Sequence, residues 1–191
     1  LNGHFYGVSA LALSNDGKFL ASGANDGTIV IWDAGTRQTL SKPFKAHNGQ
    51  ISSLTFSVDG KTLASASSNE NAIILWDMAD PANPQQIGGP LSKHTSGVTR
   101  LVFSPDGKTL ASSSYDGTII LWDLTTRKPN DDENNAMTNL GSQFVFNSKG
   151  TLLVSSGNYT TTIILWDVTD PAKPKKYDKE LTSESGSSVY S

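Results

Sequence analysis

Residues 103–123 read Phe-Ser-Pro-Asp-Gly-Lys-Thr-Leu-Ala-Ser-Ser-Ser-Tyr-Asp-Gly-Thr-Ile-Ile-Leu-Trp-Asp, which places two Asp-Gly pairs between short apolar runs. Asp-Gly between apolar runs favours a hairpin turn, because glycine accepts the positive φ that such turns need. The run Ile119-Ile120-Leu121 is too short for a helix and rich in β-branched residues, which favours a buried strand. This stretch therefore predicts short antiparallel strands joined by tight turns.

The same stretch recurs along the chain. Its Trp-Asp pairs start at Trp32, Trp76, Trp122 and Trp166, at intervals of 44, 46 and 44 residues. A turn phrase resembling 103–108 precedes each pair, at 13–18, 56–61 and 146–151 in the other copies. A period of about 40–45 residues is typical of a four-stranded propeller blade.

Within the first copy, the apolar runs and turns predict four strands. We expect them at Val8–Leu13, Phe19–Gly23, Thr28–Asp33 and near Gln38–Phe44. In the last copy, the fourth strand is expected near Tyr177–Leu181.

The pattern resembles the WD-repeat family over the whole chain. It is most similar to the regular repeats of bacterial and cyanobacterial multidomain proteins, on phrases such as residues 103–112. The resemblance implies an all-β propeller of four-stranded antiparallel blades, in a family whose rings commonly hold seven or eight blades and serve as docking platforms. We expect blades at 1–45, 46–91, 92–140 and 141–182, with 183–191 as the start of a next repeat or a tail.

The sequence also shows a longer repeat, which spans two blades. Copies one and three share an Asp-Gly-Thr turn at 26–28 and 116–118, whereas copies two and four carry one residue more there and share the phrases 80–84 and 170–174. Duplication of a two-blade unit accounts for this alternation. Four blades make a half-ring whose apolar end faces need cover. Further blades of a parent chain could supply it, or a second copy in a homodimer that closes an eight-bladed ring. A ring of four blades closed on itself is the third alternative.

Composition narrows the classes of function. The formal charge of −3 disfavours a nucleic-acid binder, which needs concentrated Lys and Arg. No apolar run reaches the roughly 20 residues of a membrane helix, and no cationic leader precedes an apolar segment. The absence of cysteine excludes disulfides and thiolate metal sites, and it suits an intracellular, cytoplasmic protein.

The family resemblance also implies a buried hydrogen-bonded network of a histidine, a serine, a turn aspartate and the strand tryptophan in each blade. The matching residues are His4, Ser22, Asp26 and Trp32 in copy one, His47, Ser65 and Trp76 in copy two, His94, Ser112, Asp116 and Trp122 in copy three, and Ser155 and Trp166 in copy four. Copy two lacks the turn aspartate, and Met137 stands at the expected histidine position of copy four. Three histidines could indicate a metal site, but equivalent places in successive blades would hold them apart, so no cofactor or metal is expected.

Two groups of residues are candidates for contacts with other molecules. The third residues of the first strands include Arg100 and Gln143, which we expect to face the water of the central channel. The turns that share one rim offer exposed aromatic and amide side chains suited to binding a protein or peptide, although turn asparagines often serve only the backbone. These rim candidates are Phe5, Tyr6, Asn25, Asn48, Gln50, Asn69, Glu70, Tyr115, Asn158 and Tyr159.

We therefore expect a non-catalytic protein–protein interaction module, part of a larger bacterial regulatory or sensing protein. The aspartates after the tryptophans do not form a catalytic set, because symmetry-related positions do not converge on one substrate. No phosphate loop, nucleophile elbow or Cys/His pair is present. The alternatives are a propeller hydrolase or a small-ligand-binding propeller, and, third, a nucleic-acid binder.

Overall fold

The computed structural model describes residues 3–129, 137–138, 140–157, 162–178 and 181–182. The regular elements of these residues are all β-strands, arranged as four antiparallel sheets in chain order. The all-β blade architecture expected from the repeats is confirmed.

The sheets repeat one pattern. Blade one contains β1 (Val8–Leu13), β2 (Phe19–Ala24), β3 (Thr28–Asp33), β4 (Gln38–Thr39) and β5 (Phe44–Lys45). Blade two contains β6 (Ile51–Phe56), β7 (Thr62–Ser67), β8 (Ala72–Asp77), β9 (Gln85–Gln86) and β10 (Leu91–Ser92). Blade three contains β11 (Val98–Phe103), β12 (Thr109–Ser114), β13 (Thr118–Asp123), β14 (Lys128–Pro129) and β15 (Met137–Thr138). Blade four contains β16 (Leu140–Phe146), β17 (Leu152–Gly157), β18 (Thr162–Asp167), β19 (Lys175–Lys176) and β20 (Leu181–Thr182).

The fourth strand of each blade differs from the prediction because it is broken into two short pieces. In blade one, β4 and β5 both pair with β3, on either side of Ser41. There the amides of Leu40 and Ser41 both donate to the carbonyl oxygen of Ile31, and the Ser41 hydroxyl oxygen accepts from the Ile31 amide at 2.9 Å. A side chain thus replaces one backbone group of the ladder, which interrupts the outer strand without leaving β3 unpaired.

The limits of the sheets differ slightly from the predicted blade limits. The second sheet extends to Ser92, and the fourth begins at Leu140, one residue beyond the predicted limit in each case. Residues 183–191, the predicted start of a next repeat or a tail, lie outside the described residues.

The apolar core lies between blades. Each of three buried clusters combines residues of two neighbouring sheets, so that the third strand of one blade packs on the first strands of the next. Between blades one and two, the ring of Phe44 meets that of Trp76 edge-on at 4.9 Å between centroids. The backbone of His47 lies so close to Gly27 that this position requires glycine: its φ is +81°, and a Cβ atom would lie 2.0 Å from the carbonyl oxygen of His47.

Candidate functional site

The turns between the second and third strands share one rim with the connections that enter the first strands. The Tyr115 amide donates to the carbonyl oxygen of Gly97 at 3.0 Å, and the Asn25 amide donates to that of Gly7 at 2.9 Å. We call this surface the upper rim. Its turns are held in place by buried side chains directly beneath them.

Blade three shows these buried contacts most completely. The indole N–H of Trp122 donates to Ser112 Oγ at 2.8 Å, and Ser112 Oγ lies 2.7 Å from His94 Nε2. On the other side of the imidazole, His94 Nδ1 lies 3.0 Å from Asp116 Oδ2. Because a carboxylate only accepts hydrogen bonds, Nδ1 carries the proton and Nε2 accepts from the serine hydroxyl. The carboxylate also accepts from the Thr95 amide at 2.9 Å, which joins the network to the upper rim.

Blade one has the same network, but its acid contacts the imidazole through a threonine. The equivalent threonine of blade three, Thr118, donates to Asp116 at 2.6 Å and lies 3.2 Å from His94 Nδ1. Trp32 donates to Ser22 Oγ at 2.7 Å, and Ser22 Oγ lies 2.6 Å from His4 Nε2. Asp26 reaches the imidazole through Thr28, whose hydroxyl donates to the carboxylate at 2.7 Å and lies 3.4 Å from His4 Nδ1. The threonine hydroxyl therefore relays the contact from the histidine to the acid.

Blade two corrects two of the interpretations made from the sequence. Glu70, assigned above to the solvent-facing rim, supplies the acid that blade two was expected to lack: its Oε2 lies 2.6 Å from His47 Nδ1, and its Oε1 accepts from the Asn48 amide at 2.9 Å. The rest of the network is complete, since Ser65 Oγ lies 2.9 Å from both His47 Nε2 and the Trp76 indole nitrogen. The turn of blade two is one residue longer, and the longer side chain of glutamate still reaches the imidazole.

Blade four corrects another interpretation. Met137 does not occupy the histidine position but pairs with Ile119 on the outer edge of blade three, as Phe44 pairs with Ile29 in blade one. Met137 lies three positions before the start of β16, whereas Phe44 lies seven positions before Ile51, so the segment that carries the histidine is shorter before blade four. Among the described residues of blade four, the network consists of one hydrogen bond of 3.2 Å from the Trp166 indole N–H to Ser155 Oγ.

Electrostatics favours a neutral imidazole beside an ionised acid in blade three. Burial lowers the pKa of His94 below its ordinary value, although Asp116 acts in the opposite direction. Burial alone would raise the pKa of Asp116, but hydrogen bonds from Thr118 and Thr95 outweigh it and hold this pKa below its ordinary value. For Glu70 too, burial acts to raise the pKa, and the hydrogen bonds from Asn48 and His47 outweigh it. In blade three the imidazole proton therefore lies between His94 Nδ1 and the Asp116 carboxylate.

The upper rim exposes aromatic side chains above these networks. The exposed fractions are 93% for Phe5, 63% for Tyr6 and 71% for Tyr115. Asn69 has a backbone role instead, because its Oδ1 accepts from the Gln50 amide at 3.2 Å. The other described amide candidates, Asn25, Asn48 and Gln50, are exposed. Asn158 and Tyr159 lie outside the described residues.

The two channel candidates contact each other across neighbouring blades. Arg100 on β11 donates a hydrogen bond from Nη1 to the side-chain oxygen of Gln143 on β16. The guanidinium carbon also lies 6.0 Å from the centre of the Phe144 ring, a geometry that holds the cation over an aromatic face.

Comparison with known proteins identifies the repeats. The family model described as "WD domain, G-beta repeat" matches residues 1–33, 38–77 and 85–123, more than half of the chain. The chain belongs to the WD-repeat family. Members of this family generally act as non-catalytic interaction scaffolds. The three matched segments lie in blades one to three, which carry the histidine networks.

Several WD proteins of eukaryotes are similar to parts of the chain. Cilia- and flagella-associated protein 52 of Chlamydomonas reinhardtii is 39% identical over 85 residues, which cover 41% of this chain and 14% of the relative. The retinoblastoma-binding protein 5 homolog of Drosophila melanogaster is 42% identical over 67 residues, or 35% of this chain and 13% of the relative. Protein HIRA of Dictyostelium discoideum is 33% identical over 86 residues, which cover 40% of this chain and 8% of the relative. The similarity thus spans less than a fifth of the length of these relatives.

Two classes of site are absent from the described part of this WD chain. No group of three or more His, Asp or Glu side chains there could hold a metal ion. No helix of the described residues is long and apolar enough to cross a membrane.

Proposed function

We propose that this WD segment binds a protein or peptide through the upper rim, as a non-catalytic module of a larger regulatory protein. The observation that carries the proposal is the set of exposed aromatic rings of Phe5, Tyr6 and Tyr115 on turns that buried networks support from below. Aromatic side chains on a rigid frame give large contact area at low entropic cost, which suits them to recognition. The name of the Drosophila relative likewise refers to the binding of another protein.

The proposal is tested with rim variants. Peptides that bind the wild-type chain are selected from a displayed random library and measured against Tyr6→Ser and Tyr115→Ser. We expect at least tenfold weaker binding, whereas Tyr177→Ser, at a half-exposed tyrosine outside the rim candidates, should bind as wild type does. Peptides that bind all three variants equally would contradict the assignment of the rim.

The cellular setting is part of the same proposal. We place the module inside the cell, in a bacterial protein, on the regularity of its repeats and the absence of cysteine. Expression of the parent gene with a fluorescent tag would test the location, and secretion of the tagged protein would contradict it.

We also propose that a second copy of the chain covers the first strand of blade one. Leu11 and Leu13 on β1 are 64% and 59% exposed, whereas Leu54 and Phe56, at the same places on β6, are 7% and 8% exposed because blade one packs on them. The register is the same, since Leu11 pairs with Ser22 as Leu54 pairs with Ser65.

A hydrogen bond that recurs between neighbouring blades supports a second copy of the chain at this strand. Ser9 Oγ of blade one donates to the carbonyl oxygen of Ile51 at 2.7 Å, and Ser52 Oγ of blade two donates to that of Val98 at 2.5 Å. The groups that would make the same bond at the two ends of the chain are the Val8 carbonyl oxygen on blade one, as acceptor, and the hydroxyl of the exposed Ser142 on blade four, as donor. Blade four of one copy and blade one of another therefore offer complementary groups, and two such junctions give an eight-bladed homodimer with two-fold symmetry.

Light scattering of the purified chain at micromolar concentration tests this assembly. We expect twice the chain mass of 20.3 kDa for the wild type, and a monomer for Leu11→Asp, which puts a charge in the junction. Val58→Asp is the matched control, at an exposed apolar side chain of the turn between β6 and β7. A wild-type monomer, or a dimer that survives Leu11→Asp, would overturn the assembly.

A further inference from the structure

The inner wall beneath the upper rim contains a polar cavity of about 380 Å³. First strands of three blades form it, with Ser53 from β6, Arg100 from β11 and Gln143 from β16, and Tyr115 lies at its side. A volume of this size accommodates one or two amino-acid residues. The cavity is therefore large enough for a segment of a bound peptide.

Donors of hydrogen bonds dominate this cavity. Arg100 uses one N–H on the neutral oxygen of Gln143, which leaves the other guanidinium N–H groups and the Gln143 amide NH₂ as donors. Ser53 Oγ accepts from the Leu101 amide at 3.0 Å, so its own O–H can donate. None of the described residues that line the cavity is acidic. The cavity thus holds one positive charge that its own wall does not neutralise.

The cation is also held in position before any ligand arrives. Gln143 binds one edge of the guanidinium, and the buried ring of Phe144 lies beneath it. Since the planar guanidinium binds a carboxylate through two parallel hydrogen bonds, a fixed guanidinium loses little freedom on binding.

We propose that this cavity binds the carboxylate of an acidic side chain in a partner protein, with Arg100 as the anchor and Gln143 and Ser53 as additional donors. The inference rests on the proposed function and names the chemistry of the partner. Tyr115 belongs both to the cavity wall and to the upper rim, so a peptide lying on the rim can extend an acidic side chain inward.

Titration of the isotope-labelled chain with short peptides, followed by NMR, tests the site without a natural partner. The probes are Gly-Ser-Glu-Glu-Ser-Gly, its Gln-Gln and Lys-Lys counterparts, and a version with phosphoserine in place of the first glutamate. We expect the Glu peptide to shift the Arg100 Nε–H and Gln143 side-chain signals to saturation, and the Gln and Lys peptides to leave them in place.

Variants of the chain complete the test. Arg100→Gln should weaken binding of the Glu peptide at least tenfold, and Arg100→Lys should weaken it less, because an ammonium keeps the charge but not the paired donors. Lys61→Gln is the control, at an exposed cation of the turn between β6 and β7.

Equal binding of the Glu and Gln peptides, or unchanged binding by Arg100→Gln, would overturn the proposal. More than tenfold preference for the phosphoserine peptide would overturn the choice of a carboxylate. If the Glu peptide fails while the rim variants lose their selected peptides as expected, only the inference about the cavity falls.

Discussion

Blades two and four both have a longer turn between the second and third strands than blades one and three, yet they differ from each other in the buried network. In both, the serine and tryptophan of the network are 11 residues apart, compared with 10 in the other two blades. Blade two retains the histidine His47 and an acid, Glu70, whereas the described part of blade four shows only the bond from Trp166 to Ser155.

The difference shows which parts of the network the fold requires. A turn that is one residue longer is tolerated if the acid side chain is also longer, as at Glu70. A connection that omits the histidine is tolerated too, because the apolar contacts of Trp166 remain in the cluster between blades three and four. The apolar core between blades is therefore sufficient for a blade to form, and we expect the hydrogen-bonded network to add stability and to hold the turns of the upper rim in place.

The largest effect should come from removing a tryptophan. We expect Trp76→Ala to lower the free energy of unfolding by about 3–5 kcal/mol, the range for truncation of a buried aromatic. Trp166→Ala should cost less, because Trp76 also packs edge-on against Phe44 and makes the shorter hydrogen bond, 2.9 Å compared with 3.2 Å. Urea denaturation followed by circular dichroism measures both, with Lys61→Ala as a surface control. A loss for Trp166→Ala as large as that for Trp76→Ala would contradict this difference between the two blades.

The acids should give an intermediate effect. We expect Asp116→Ala and Glu70→Ala each to cost about 1–3 kcal/mol, because each removes the carboxylate to which a buried imidazole N–H donates. The same urea denaturation measures them, and the control is Asp178→Ala, at an exposed carboxylate of blade four. If Glu70→Ala behaved like the control, Glu70 would be an ordinary surface residue, as the sequence interpretation had it.

The smallest effect should be a dependence on pH. Burial lowers the pKa of His94, so the unfolded chain takes up a proton first as the pH falls through the ordinary histidine value of 6.5. Stability should therefore decrease from pH 7.5 to 5.5. His94→Asn should flatten this slope, whereas Ser155→Ala in blade four should leave it unchanged. A slope that His94→Asn does not alter would contradict the neutral imidazole.

Local patterns in the sequence were sufficient for the blades and most strand limits, because turns and apolar runs act over a few residues. The break at Ser41 and the displacement of Met137 were missed because they depend on how the outer strand pairs with its neighbour. The role of Glu70 was not predicted, because the family pattern has an aspartate in this turn, although the sequence does place an acid five residues after Ser65. The bond between Arg100 and Gln143 joins two blades, and no single repeat could predict it.

The most direct test of the account is a double-mutant cycle between His47 and Glu70, with His94 and Asp116 as the reference pair. The central claim is that Glu70 does in blade two what Asp116 does in blade three. Urea denaturation of His47→Ala, Glu70→Ala and the double variant should show a coupling of about 1 kcal/mol or more, similar to that of the reference pair. A coupling within about 0.3 kcal/mol of zero for His47 and Glu70, with a clear coupling in blade three, would contradict it.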